Sequence, residues 1–530
     1  MKRLERWLFP RSEWLNFVVI AAVSGAISFI LIGKQIYRAD WGLVDDHEIF
    51  YFLGPGLHLN LSDFWSTLLA KTEVGSLQGR FRPGYYIFKL GETWLWGTNV
   101  HLWYLARTIG FAVFLSSIWW FMRRFIGGWL SGVLTAYIAL LPLWAGIWSR
   151  LGPSEIYGAI CIGIMVFASY FIFFSGSSRV RTLSAIALTL ATVGLVSVKE
   201  TFIPLAGATA VVFIWAFVKG RLPRLAIVIL ALIVVAALGR IVAVVVKQVL
   251  VDGADYYANP VGLGPVLLFA VKGLVNAVLR TWWIVVLPLV FLRLLNVLPR
   301  QPLATLILDS RVAIAAYGFL LASYAIQCAL YRTGFPVHTR YDFPAMLLVP
   351  LTWCIVACDL ACKLREAYPE RTINYAGLAA AAFLFFFLAL DQGYRDREKP
   401  LSVAVQTNID KTRAFYDQLQ LAVREAEKSP DSPIILEAYG AGAYEPVFSL
   451  SYYLSALGAR NRISIRVHRD ERSQGDFSDI LEQRLTNLEQ NGSSDFAPLR
   501  DNLARSPQRC ISIGINGAPD KACSGFQVKT

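Results

Sequence analysis

Apolar residues fall into eleven long runs within the first 391 residues, and polar residues collect in the gaps between them. Runs of roughly 18 to 22 apolar residues are long enough to cross a bilayer core as helices. The pattern predicts such helices near 14–36, 102–121, 128–147, 156–175, 182–198, 202–218, 225–246, 281–298, 312–330, 344–361 and 373–391. The first run follows Lys2, Arg3, Arg6 and Arg11 and has no small-residue cleavage site, so it reads as an uncleaved first helix. Alternating sides from a cytoplasmic N-terminus puts Arg123, Arg124, Arg179, Arg181, Lys219, Arg221, Arg224, Arg293, Arg300, Lys363, Arg365 and Arg371 on the cytoplasmic side, as the positive-inside rule requires. The stretch 261–280 is apolar, but Lys272, Asn276 and Arg280 recur every fourth residue and give it a polar stripe. It is expected to lie at the outer interface as an amphipathic helix.

On the opposite side stands a first loop, 37–101, too long for a simple connector. It is expected to hold two helices, 61–71 and one opened by Pro83 in its first turn and running to Trp96. After residue 391 the periodicity changes. Helices near 403–428, 444–457 and 480–490 alternate with strands at 433–437, 463–467 and 511–515, the pattern of a small α/β domain. The expected fold is therefore an α-helical polytopic membrane protein of about eleven transmembrane helices, 1–391, followed by a C-terminal extracytoplasmic α/β domain, 392–530. The expected location is a bacterial inner membrane, with the N-terminus cytoplasmic and the C-terminal domain periplasmic.

A hydrophobic content of 56% and a mean hydropathy of +0.50 agree with this picture. The net charge of +13 raises the question of nucleic acid, and its location answers it. The tail from Gln392 carries 18 basic and 18 acidic residues, so the whole excess lies in the membrane part, much of it in short loops. No nucleic-acid partner is expected. Cys510 and Cys523 lie in the tail and can form a disulfide if that tail is outside. Cys354, Cys358 and Cys362 recur at helical spacing with no His or carboxylate cluster beside them, which favours helix packing over a metal site.

The residues suited to chemistry share the outer side. Asp45, Asp46, His47 and Glu48 follow the first helix directly. Three carboxylates at this density raise the pKa of at least one of them or call for a divalent metal at Asp45 and Asp46, and either outcome suits a general base or a ligand. Arg80, Arg82 and Tyr85 lie in the run Arg80-Phe81-Arg82-Pro83-Gly84-Tyr85-Tyr86, where two guanidiniums stand before a helix N-terminus and suit a phosphate. His338, Arg340 and Asp342 precede a later helix and either bind a charged substrate group or form a structural salt bridge. Arg150 with Glu155, and Lys199 with Glu200, stand at outer helix ends; they are expected to pair with each other and to line the same cavity, where Lys199 and Glu200 are candidate substrate-binding residues. Arg240, less than two turns from the outer end of its helix, needs an anionic partner such as a lipid phosphate.

These features resemble the GT-C superfamily of polytopic glycosyltransferases, through the acidic pair after the first helix, the long helical first outer loop and a later interfacial helix. The Arg80–Tyr86 run is similar to sequences of bacterial members. The resemblance implies transfer of a sugar from a polyprenyl-phosphate donor to a glycan, lipid or protein acceptor of the cell envelope at the outer face. Asp45 or Asp46 would be the base, and Arg80, Arg82 and Arg240 would stabilise the leaving phosphate. With one carboxylate cluster, a direct inverting displacement is implied. An O-antigen-type polymerase or ligase is an alternative, although such enzymes place their long outer loop late in the chain. A transporter is another, although transporters need polar groups or broken helices at mid-membrane, and this chain keeps nearly all its charges at helix ends.

Overall fold

The structure, a computed structural model, describes residues 12–54, 56–77, 81–247, 262–282, 284, 311–331, 340–367, 400–439, 444–461, 463–468, 510–515 and 523–528. The first apolar run forms α1 (Glu13–Ile32), opened by Ser12, whose hydroxyl accepts from the Leu15 amide. A short α2 (Lys34–Arg38) continues it. The long loop then folds into α3 (His47–Leu53), α4 (Leu61–Leu77) and α5 (Pro83–Trp96), with Pro83 in the first turn of α5 as its fixed φ favours. Helix α6 (Val100–Ile126), capped by Asn99, runs back through the bundle and stops at Gly127.

Next come α7 (Gly128–Ala139) and, after a bend of 49°, the segment Pro142–Trp148, which ends in α8 (Ala145–Trp148). Helices α9 (Glu155–Phe174) and α10 (Ser178–Val198) form a closely packed pair. A 3-10 segment, Glu200–Leu205, leads into α11 (Ala206–Val218), followed by α12 (Arg224–Lys247), α13 (Leu263–Thr281), α14 (Arg311–Tyr331), the 3-10 turn Arg340–Asp342 and α15 (Ala345–Ala367).

Eight described helical segments are long and apolar enough to cross a membrane, and the bent pair makes up to nine. The chain is a multi-pass membrane protein. The predicted spans 281–298 and 373–391 lie largely or wholly outside the described residues. The segment read as interfacial, 261–280, forms α13, which by length and composition qualifies as a span and packs along α14. Gly273, Ala277 and Thr281, four residues apart, make its buried edge, and a Cβ at Gly273 would stand 2.5 Å from that of Cys328. Small residues on this edge allow the close approach, and the polar stripe lies beside it rather than facing a surface alone.

The tail begins with α16 (Leu401–Lys428), whose Leu401, Val405, Ile409, Phe415, Leu419 and Ala422 are buried. It packs on α1, α2 and α8 on one side and on the tail's sheet on the other. The sheet is parallel, ordered β2 (Ile463–His468), β1 (Ile434–Tyr439), β3 (Ile511–Ile515), β4 (Ser524–Val528), with α17 (Tyr444–Ala456) following β1. Ile434 pairs with Ile463 on one side and Ile511 on the other. Strand β4 was not expected from sequence; it is short and carries a glycine. Cys510 and Cys523 are bonded and tie the starts of β3 and β4. The predicted helix 480–490 lies outside the described residues.

The two ends of the bundle differ in what they gather. At one end Arg123 of α6 meets Glu13 of α1, and Arg181 donates to the carbonyl oxygens of Arg221 at 2.8 Å and Ser175 at 3.0 Å. At the other end lie the Asp45–Glu48 turn, Arg150, Glu155, Lys199, Glu200 and Arg340. The sequence reading put these last residues on one common side.

Candidate active site

The acidic turn is built by backbone geometry first. Asp45 adopts a left-handed conformation, φ 71°, which Asp tolerates better than most residues. Asp46 accepts a hydrogen bond from the Gly42 amide at 2.8 Å, closing a turn back onto its own loop, and its carbonyl starts α3 by accepting from Ile49. The reversal sends the two neighbouring carboxylates different ways. Asp46 is buried at 3% exposure, whereas the Asp45 side chain keeps 32%.

Asp45 faces cations. Its Oδ2 accepts from Arg150 Nη2 at 2.9 Å and lies 3.8 Å from Arg340 Nη1. Burial pushes its pKa up, but Arg150 and then Arg340, with Lys89 and His47 behind them, more than offset this and hold it below the usual 3.8. Asp46 differs. Burial dominates there, opposed by Lys89 and the Gly42 amide and reinforced by Asp45, and its pKa is raised to about 6. Room for Asp45 comes from Gly152, where a Cβ would stand 1.9 Å from that of Asp45.

His47 and Glu48 point elsewhere again. His47 Nδ1 shares a 2.8 Å hydrogen bond with Ser449 Oγ of α17, and its ring stacks on Tyr452 at 5.7 Å. Burial lowers its pKa against the pull of Glu48 and Asp45. Glu48 accepts from the Tyr85 hydroxyl at 2.7 Å, and burial, then Glu48, push the Tyr85 pKa well up. Among the described residues no three His, Cys, Asp or Glu side chains converge as a metal site. The physical reason is visible in the turn: Asp45, Asp46 and Glu48 each face a different donor. The residues therefore do not fit the divalent metal considered for Asp45 and Asp46.

The expected ion pairs are exchanged. Arg150 bonds Asp45 and not Glu155; Lys199 bonds Glu155 at 2.6 Å and not Glu200; Glu200 takes Arg82 through two contacts, 3.0 and 2.7 Å. Lys199 is extended, φ −162° and ψ 141°, between α10 and the 3-10 segment. Successive side chains of extended backbone point opposite ways, so Lys199 reaches α9 while Glu200 reaches the start of α5.

Arg82 is thus held by a carboxylate as well as being placed for a phosphate. Arg240 is exposed, with its guanidinium 5.2 Å from the centroid of the Phe81 ring. Arg340 stands beside Asp45 and over Tyr341, while Asp342, two residues on, is fully buried. Arg80 and His338 lie outside the described residues.

Sequence reasoning missed a polar tract along one face of α5. Arg82, Tyr85, Lys89 and Glu92 recur at helical spacing. Glu92 takes Arg107 of α6 through two 2.6 Å contacts and accepts from the Tyr157 hydroxyl at 2.5 Å. The signals were present: the three-four-three spacing, and a lone arginine inside the run 102–121. Ser449 and Tyr452 gave none, because only the packing of α17 on α3 brings them to His47.

No family model and no curated protein matches the chain. Among solved structures it is similar to a crystal structure of ArnT from Cupriavidus metallidurans bound to undecaprenyl phosphate, at 14% identity over 89% of this chain and 88% of that one, with a TM-score of 0.38.

Proposed function

We propose that this protein is a membrane glycosyltransferase that moves a sugar from a polyprenyl-phosphate carrier to a hydroxyl-bearing acceptor of the cell envelope, at the outer face of a bacterial inner membrane. One observation carries the reading: Asp45 is a partly exposed carboxylate at one end of the bundle, flanked by the guanidiniums of Arg150 and Arg340. Arg82 and Lys199 lie nearby in the same polar cluster.

In the reaction, the acceptor oxygen attacks the anomeric carbon and the new C–O bond forms as the bond to the phosphate oxygen breaks. The bonding electrons leave with the polyprenyl phosphate, and the acceptor proton passes to Asp45. Its low pKa keeps Asp45 ionised at neutral pH but makes it a weak base, so it takes the proton late, as attack on the anomeric carbon makes the acceptor hydroxyl acidic; the cations around it stabilise charge on the departing phosphate. Asp46, buried and bonded to Gly42, shapes the turn and does not touch substrate. A single direct displacement, without a covalent sugar intermediate, makes the transfer inverting.

The test is transfer from a polyprenyl-phosphate sugar to acceptor-bearing membranes by the purified chain in nanodiscs. Asp45→Asn keeps size and loses basicity, and transfer should fall by about a hundredfold or more while the protein still binds undecaprenyl phosphate. Parent-like turnover by Asp45→Asn rejects the mechanism.

A further inference from the structure

Of the charged groups that the mechanism leaves unused, Lys89 stands out. Lys89 is fully buried, and its Nζ has no hydrogen-bond partner among the described residues. Its ammonium lies over the ring of Trp103, whose centroid is 5.6 Å away. An ammonium without a hydrogen bond in such surroundings is costly and needs a compensating charge. Its carboxylate neighbours are Asp46, Glu48 and Glu92, with the Asp46 interaction the largest, and Arg107 opposes them.

These neighbours have other engagements. Glu92 is already occupied by Arg107 and Tyr157, and Glu48 by Tyr85. Among the described residues Asp46 takes one hydrogen bond, from the Gly42 amide, and no ion pair within 4.0 Å. The charge left for Lys89 to balance is that of Asp46. Asp46 in turn closes the loop that puts Asp45 in its left-handed conformation against Gly152.

We propose that Lys89 is a positioning residue, whose buried ammonium neutralises the Asp46 carboxylate and so locks the Gly42–Asp46 turn that presents Asp45 to substrate. It acts through Asp46 and not on the reacting atoms. The role of Asp45 rests on the function proposed above, whereas the coupling of Lys89 to Asp46 does not. The charged and titratable groups facing the pair are Asp45, His47 and Glu48 on the turn itself, Glu92 on α5, Tyr104 and Arg107 on α6, Arg150 after α8, and Tyr453 on α17.

The test needs no substrate. Infrared spectra of the purified full chain in nanodiscs are recorded against pH, following the carbonyl stretch of protonated carboxyl groups. A band that titrates near pH 6 should be present in the parent and absent from Asp46→Asn. In Lys89→Met, which keeps length and removes the charge, its midpoint should rise by about one pH unit or more, and Lys89→Arg should restore it. Transfer by Lys89→Met should fall at neutral pH and recover in alkali, with the acid limb of the profile displaced by the same amount. A purely structural lysine would leave that limb in place.

An unmoved midpoint overturns the proposal. So does weaker binding of undecaprenyl phosphate with an unmoved midpoint, which would make Lys89 a substrate contact. If Lys89→Met does not fold, the double variant Lys89→Met/Asp46→Asn, which removes both charges, should fold; its failure overturns the proposal too. A moved band in a protein that transfers no sugar would sink the proposed function and leave the coupling intact.

Discussion

The two ends of the helical bundle handle charge in opposite ways. At the site end Arg82, Lys199 and Arg150 pair with carboxylates 118, 44 and 105 residues away in sequence, and the Lys199–Glu155 pair is almost wholly buried, at 7% and 2% exposure. At the other end Arg123 meets a Glu13 that is 62% exposed, Arg181 bonds main-chain carbonyls, and Arg124 lies over the Phe174 ring. Buried pairs are expensive to desolvate and seldom add net stability, so a cluster of them at one end points to a use beyond stability. Cations held by a solvent-exposed carboxylate, by main-chain carbonyls or by a ring need no such use, since loop charge sets orientation. The comparison separates charge kept for a site from charge kept for topology.

The largest effect should come from breaking one buried pair. Glu155→Gln leaves the Lys199 ammonium, 7% exposed, without its counter-charge and beside the Tyr331 and Tyr341 rings, each 5.1 Å away. Removing one member of a buried pair costs about 3–5 kcal/mol. Thermal or denaturant unfolding of the variant in nanodiscs should show that loss. A change under about 1 kcal/mol would mean that water reaches the pair and that the contrast between the ends is overstated.

Gly152 offers a test that moves the site without removing any charge. A methyl group there would overlap the Asp45 Cβ, so Gly152→Ala must push the carboxylate away from Arg150. Misplacement by about 1 Å can cost around a hundredfold. Transfer should drop by at least about tenfold, with undecaprenyl phosphate binding and helical content near the parent's. Full activity would show that the position of Asp45 does not matter to the reaction.

How far the sequence reached follows the range of the interactions. Spans, the helix after Pro83, and the alternation of the tail were legible because they rest on local periodicity and on capping residues such as Ser12 and Asn99. The shared side of Asp45, Arg150, Glu155, Lys199, Glu200 and Arg340 was legible through span parity. Pairing within that group was not. It depends on the extended backbone at Lys199 and on the left-handed turn at Asp45, neither of which leaves a pattern in neighbouring residues. Ser449 and Tyr452 were invisible for the same reason, lying about 400 residues from His47 and meeting it only through tertiary packing.

That long-range contact yields a smaller prediction. Ser449→Ala removes the hydrogen bond to His47 Nδ1 and keeps the α17 backbone and the Tyr452 stack. A neutral hydrogen bond contributes about 0.5–1.5 kcal/mol. Unfolding stability should fall by about that amount. If α17 steadies the acidic turn, hydrogen exchange at the amides of residues 45–48 should also speed up. Exchange unchanged there would restrict α17 to packing within the tail.

The smallest effect belongs to the far end of the bundle and completes the comparison. Glu13→Gln removes the carboxylate that meets Arg123, yet Glu13 is largely in solvent and the Arg123 guanidinium still lies 3.8 Å from the centroid of the Trp120 ring. An exposed ion pair is worth about 0–1 kcal/mol, and the cation-π contact survives the change. Unfolding measured exactly as for Glu155→Gln should therefore shift by less than about 1 kcal/mol, and by less still in high salt. Transfer and undecaprenyl phosphate binding should stay at the parent level, because nothing at this end touches the acidic turn. A loss as large as that of Glu155→Gln would put both ends under the same constraint, and single-sided charge pairing could no longer be used to locate the site.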